Sequence, residues 1–181
     1  GDYGHDGARP WRGMKRDQWE GGHRVPFMAR WPGKIKAGST SDQTICLTDI
    51  MSTCAAITGY KVPDNAAEDS FNILPVLTSK DKGKAIRSYT LHQTIWLDLA
   101  IRRGKWKYLD HKGSGGNPYQ TRQGLSIYIL PENAPDAPGQ LYDLENDPGE
   151  TTNLYYKHPK IAKELKALLV TSIANGRSAP L

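Results

Sequence analysis

Residues 9–33 read RPWRGMKRDQWEGGHRVPFMARWPG. Arg9, Arg12, Lys15, Arg16, His23 and Arg24 crowd into this short segment, with Trp11 and Trp19 among them. Gly21-Gly22 lets the backbone take a positive φ or pack closely. Val25-Pro26-Phe27-Met28-Ala29 follows as an apolar run. The pattern predicts a functional loop feeding a buried strand over 24–31, closed by the turn signal Trp31-Pro32-Gly33. Fixed cations on a glycine-opened loop, anchored by a core strand, suit an anionic group.

On either side of this stretch the chain is that of an ordinary globular protein. It has 181 residues, 38% hydrophobic and 24% charged, with a net charge of +5, and its isoelectric point is near 9.1. That balance excludes an intrinsically disordered chain and favours anionic partners without choosing among them. No apolar run reaches the roughly 18 residues of a membrane span. The chain opens on Gly1-Asp2-Tyr3-Gly4, with neither a start methionine nor a signal peptide. Asp2, His5 and Asp6 meet no spacing rule for zinc or calcium and read as a surface loop. Cys46 and Cys54 lie in no nucleophile motif. On one helix they would stand about 12 Å apart, beyond disulfide reach, so they read as small buried hydrophobes.

Downstream, Thr44–Leu47 suits a second strand. Thr48 suits an N-cap, with Asp49 in the first turn of a packing helix that Gly59 stops. Charged Lys80–Lys84 marks a boundary. Beyond it, 88–95 and 99–109 have strand composition with a bend at Gly104, 111–124 reads as a flexible glycine-rich loop, and 140–144 as a strand. An EF-hand counted from Asp143 fails, because Pro148 and Leu154 fall where glycine and glutamate are needed. His158-Pro159 opens a last helix with a stripe of Ile161, Leu165, Leu168, Leu169 and Ile173, which Asn175-Gly176 ends. Residues 85–181 are thus expected to form an α+β subdomain of antiparallel strands and a covering helix.

The segments RGMK-RDQWEGG-HRVPF-ARWPGKI, AAEDSFNILPVL, AIRRGKWKYL and LYDLENDPGETTNL are similar, in that order, to segments of the formylglycine-dependent sulfatases, the arylsulfatase type with an alkaline-phosphatase-like fold. The resemblance implies an α/β chain corresponding to the C-terminal portion of such an enzyme. Residues 1–84 would be the last part of the catalytic α/β domain and 85–181 the small C-terminal subdomain. The family's Cys/Ser-x-Pro-Ser-Arg formylglycine motif, its paired calcium-binding acids and the Asp-Asn pair before the loop are absent from this sequence. Calcium is therefore expected in the full-length parent, with ligands outside this chain. No cofactor and no metal site is expected in the chain alone, which is expected to be inactive. The implied partners are a sulfated small molecule or glycan and the missing N-terminal catalytic portion, with neither nucleic acid nor membrane. A periplasmic or extracellular location rests on the resemblance alone.

By position in RGMKRDQWEGG, Lys15 matches the family lysine that touches the sulfate. His92 precedes the AIRRGKWK strand, where family members often carry a substrate-facing histidine. His5, Arg9, Trp11 and His23 are candidates for lining the same mouth, tryptophan offering a flat face to a sugar ring. Asp17 and Glu20 have the spacing of an acid/base pair, but their cationic neighbours favour the ionised forms. The competing reading is a non-catalytic module for an anionic polymer, sulfated glycan or nucleic acid. Residues 9–36 carry eight Lys/Arg against two acids, without any RRM or zinc-finger signature.

Overall fold

The computed structural model describes residues 7–81, 83–122 and 124–180. The elements are α1 (Asp49–Thr58), α2 (Leu74–Leu77), β1 (Thr90–Gln93), β2 (Leu99–Arg103), β3 (Trp106–Leu109), β4 (Gln140–Asp143) and α3 (Pro159–Asn175). Short 3₁₀ turns cover Glu20–Gly22 and Ser126–Tyr128. The strands make one antiparallel sheet in the order β1-β2-β3-β4. The chain forms two compact units: Gly1–Val25 with Leu91–Val170, and Pro26–Thr90 with Thr171–Leu181. The first takes residues from both sides of the charged Lys80–Lys84 stretch.

In the first unit the sheet register sorts the side chains. Ala100 faces Leu109, Arg102 faces Lys107, Lys107 faces Tyr142 and Leu109 faces Gln140. Because side chains alternate along a strand, these six share one face. Ile101, Arg103, Trp106, Tyr108, Leu141 and Asp143 share the other. α3 lies on this second face. Glu164 pairs with Arg103 at 3.1 Å, and the His158 ring is 5.1 Å from Trp106. Ala162, Leu165 and Leu169 are buried, while Ile173, expected in the apolar stripe, is exposed. The first face is covered by the basic loop itself. Trp19 joins Ala100, Leu109, Tyr119, Tyr142 and Leu144 in one core cluster. The bend expected at Gly104 is a full hairpin turn, the glycine at φ +58°, and both arms pair.

In the second unit α1 is built around a buried Asp49. Its carboxylate accepts hydrogen bonds from the Cys46 and Phe71 amides at 2.7 and 2.9 Å and pairs with the buried Arg87. Thr48 stands at the N-cap with Asp49 in the first turn, as expected, but its side chain makes no capping bond; Asp49 instead ties down the loop ahead of the helix. Cys54 is exposed on α1 rather than buried. Residues 24–31 and 44–47 form no strand among the described residues, and Leu47 lies in a turn. Their composition suits a sheet, but neither meets a partner whose amides complete a ladder, and Met28 is 90% exposed. No described helix is long and apolar enough to cross a membrane.

Candidate functional site

The loop preceding Val25 is held by its acids and aromatics. Asp17, buried, accepts the Met14 amide at 2.8 Å, the Asn117 amide at 3.0 Å and the Tyr119 hydroxyl. Asn117 Nδ2 donates to the Lys15 carbonyl at 3.0 Å, and the Gln18 amide to the Ser114 carbonyl at 2.7 Å. The described part of the 111–124 segment is therefore a brace under the loop, with Ser114, Asn117 and Tyr119 buried, and not the flexible connection its glycines suggest. Glycine is required here by close approach. A methyl on Gly116 would fall 2.1 Å from the Arg16 carbonyl oxygen, and one on Gly22 2.0 Å from that of Asp17. Burial and a hydrogen bond to Asp17 both raise the Tyr119 pKa, keeping the phenol a donor.

On the sheet side, Trp19 Nε1 donates to Gln140 Oε1 at 3.1 Å, and the Arg12 guanidinium stacks 3.7 Å above the Trp19 ring. Arg12 also donates to the Glu150 carbonyl at 2.9 Å. Glu20 and Lys107 are buried, with Nζ 3.0 Å from Glu20 Oε1 and 3.1 Å from the buried Glu150. Arg24 and Arg102 approach Glu20 Oε2 at 2.7 and 3.3 Å. Burial alone would raise the Glu20 pKa. The hydrogen bond from His23, the charge of Lys107 and the hydrogen bond from Arg24 outweigh it and hold the carboxyl far below the usual range. Burial pushes Glu150 the other way. Glu20 is thus a buried anion whose ionised form its cationic neighbours favour. Its distance from any acid/base role agrees with the reading from its cationic neighbours.

Among the predicted site residues, Lys15 is exposed at the loop tip, next to Arg16, which holds a positive φ of 92°. His23 and His92 come together, their rings 4.0 Å apart and inclined at 32°. The Nε2 of His23 lies 3.2 Å from Glu20. The His92 carbonyl accepts from Gln18 Nε2 at 2.7 Å, which ties β1 to the loop. Burial keeps both imidazoles neutral: the His92 pKa is lowered well below its ordinary value, helped by His23 and Lys107, and that of His23 is lowered despite Glu20. Arg9 is exposed. Trp11 is half-buried under the Arg24 guanidinium, 4.6 Å from its ring centre. His5, with Asp2 and Asp6, lies outside the described residues. Among the described residues no three His, Cys, Asp or Glu side chains are grouped to hold a metal, so the calcium implied by the resemblance finds no ligand set there.

Sequence reasoning missed Lys107, Arg102, Gln140 and Glu150. Their roles come from strand register and from a loop crossing over the sheet, and neither leaves a local pattern in sequence. Only the alternation in GKWK hinted that Lys107 would share a face with the apolar Leu109.

No protein-family model matches the chain. It is 34% identical over 166 residues to an N-acetylgalactosamine-6-O-sulfatase of Bacteroides thetaiotaomicron, covering 92% of this chain and 30% of that protein. It is 36% identical over 151 residues to an ulvan-active sulfatase of Formosa agariphila, covering 74% of this chain and 29% of that protein. A solved structure from a study of glycosaminoglycan metabolism by Bacteroides thetaiotaomicron superposes on 89% of this chain and 31% of its own, with a TM-score of 0.72 and 34% identity. The chain thus spans about three tenths of the length of the curated relatives it matches. With matching sequence along most of its length and a matching fold, the chain belongs to the sulfatase family.

Proposed function

We propose that this chain works as part of a sulfuric ester hydrolase, supplying the sulfate-contacting cation and part of the substrate surface. Formylglycine and calcium belong, on this reading, to residues outside these 181, and the substrate is a sulfated carbohydrate. The observation that carries the reading is the contrast at the loop tip. Lys15 and its neighbour Arg16 are exposed, while the next four residues, Asp17, Gln18, Trp19 and Glu20, are all buried. A cation held outward on so firmly seated a loop is preorganised, and such a group stabilises charge developing on a leaving oxygen without reorganising. His92 is proposed to flank the same mouth as a neutral group. The half-buried Trp11 and the exposed Arg9 are proposed to line it further out.

The test is Lys15→Ala in the intact protein that carries these residues, assayed with p-nitrophenyl sulfate. Loss of one preorganised contact lowers kcat/KM by about 10² to 10³. Lys15→Arg is expected to recover little, since a planar fork does not replace a compact ammonium. Arg16→Ala, the neighbouring charge, is expected to cost well under tenfold. Equal effects of the two alanine variants, both vanishing at high salt, would show that the loop acts only as a diffuse positive field. That result would favour the anionic-polymer module.

A further inference from the structure

Between β1 and β2 the chain turns through Thr94–Asp98. The Thr94 amide donates to the Asp98 carbonyl at 3.0 Å and the Leu97 amide to the Thr94 carbonyl at 3.1 Å. The Thr94 hydroxyl accepts from the amides of Trp96 and Asp98 at 3.3 and 3.2 Å. This tightly bonded turn presents Ile95, Trp96 and Leu97 to solvent at 69, 71 and 70% exposure. Leu97 sits at φ +67°, a conformation costly for a residue with a side chain. Single exposed hydrophobics are common. Three in succession on an ordered turn, one of them in a strained conformation, point to a binding role.

The turn adjoins the loop that carries Lys15. A methyl on Gly115 would come 3.1 Å from Thr94 Cγ2, and Gly116 packs on the Arg16 carbonyl. Asn117 then holds the Lys15 carbonyl. Gln18 reaches across to the His92 carbonyl, two residues before Thr94. One short brace therefore separates the apolar turn from the outward-facing ammonium. A sulfated sugar has this same division: an anionic substituent on a ring whose C–H face is apolar and stacks on indole. Trp11, the aromatic that sequence favours for this task, already has Arg24 over its ring.

We propose that Trp96, flanked by Ile95 and Leu97, is a stacking platform for a sugar ring of the substrate, setting carbohydrate specificity beside the sulfate-contacting Lys15. The inference rests on the sulfatase reading above for the identity of its ligand. The test uses affinity electrophoresis of the intact protein through gels containing chondroitin sulfate, ulvan or carrageenan, and through the same polymers desulfated. Wild type is expected to be retarded by at least one sulfated polymer. Trp96→Ala is expected to weaken that retardation about tenfold and Trp96→Phe much less, with melting temperatures unchanged. Residual binding to the desulfated polymer is expected to depend on Trp96 and not on Lys15. Retardation equal to wild type in Trp96→Ala overturns the platform, and so does a lack of retardation in every gel. In either case Lys15-dependent hydrolysis of p-nitrophenyl sulfate shows whether the sulfatase reading survives by itself. Loss of binding to phosphatidylcholine vesicles in Trp96→Ala, with unchanged migration in the polymer gels, overturns it in favour of a lipid surface.

Discussion

Lys107 is fully buried between Glu20 and Glu150. Lys107→Met would leave Glu20 with Arg24 and Arg102 but would strip the buried Glu150 of the cation beside it, and breaking such a buried pair costs about 3 to 5 kcal/mol. We expect the urea midpoint to fall sharply at constant m-value. Lys105→Met, whose exposed ammonium pairs with Asp143 at 2.8 Å, should scarcely change it; similar midpoints for the two variants would remove Lys107 from its structural role. His23 and His92 make a second expectation at this scale. Both have pKa values lowered from 6.5 by burial, so the unfolded chain binds more protons as pH drops through that value. Their neutral forms contribute fully above pH 6.5, and stability is lost as pH falls toward their folded pKa values. The melting temperature should therefore decline from pH 7 to 5, and decline less in His92→Gln. A profile as steep in the variant as in wild type would assign the acid sensitivity to other groups.

The loop and its brace meet at two glycines that no side chain can replace without moving backbone. Gly22→Ala and Gly116→Ala set a methyl against a carbonyl oxygen at 2.0 and 2.1 Å, and overpacking of this kind costs about 1 to 3 kcal/mol. Gly104→Ala has open space around it and carries only the left-handed penalty, about 1 kcal/mol. Thermal melts should rank the three accordingly, and a melt in which Gly104→Ala is the worst would contradict the brace. What sequence disclosed at this scale follows the range of the interactions involved. α3 was legible because a helix closes its own hydrogen bonds and shows its buried face at a local period. α1 was legible as a helix, but the spacing of Ile50, Met51, Cys54 and Ile57 misled as to its packing face, since these are exposed and Asp49, Thr53 and Ala55 are buried. The β2–β3 hairpin was legible through Gly104. Residues 24–31 and 44–47 have strand composition, but a ladder needs a partner that composition does not name. The brace at 111–124 was read as flexible because Ser, Gly and Asn suit a solvated turn equally well as a buried hydrogen-bonding platform. Lys15 stood out through its motif, while Lys107 could not be distinguished from any other strand lysine until the register was known.

For the whole molecule, α1 exposes Ile50, Met51 and Ile57, with Leu47 and Tyr60 at its ends. An apolar surface of this kind on a separate chain favours association. Sedimentation of the 181-residue chain should show concentration-dependent oligomers, reduced in the double variant Met51→Glu/Ile57→Glu. A monodisperse monomer at high concentration would show that this surface is innocuous. Limited proteolysis should open residues 26–47 first, where regular structure is lacking and most side chains are exposed. Survival of that segment beyond the sheet would reverse the order.

The sheet carries a helix on one face and the basic loop on the other, so the loop serves as a layer of the core. Genotype and phenotype should therefore be entangled along it in an uneven way. In a saturation library scored separately for abundance and for turnover, positions 17 to 22 would lose both together, because Asp17, Trp19 and Glu20 are scaffold before they are anything else. Position 15 would lose turnover while remaining abundant. Such a segment has little freedom to drift: new specificities would have to arise at its exposed tip or on the neighbouring Ile95–Leu97 turn, where change leaves the fold intact.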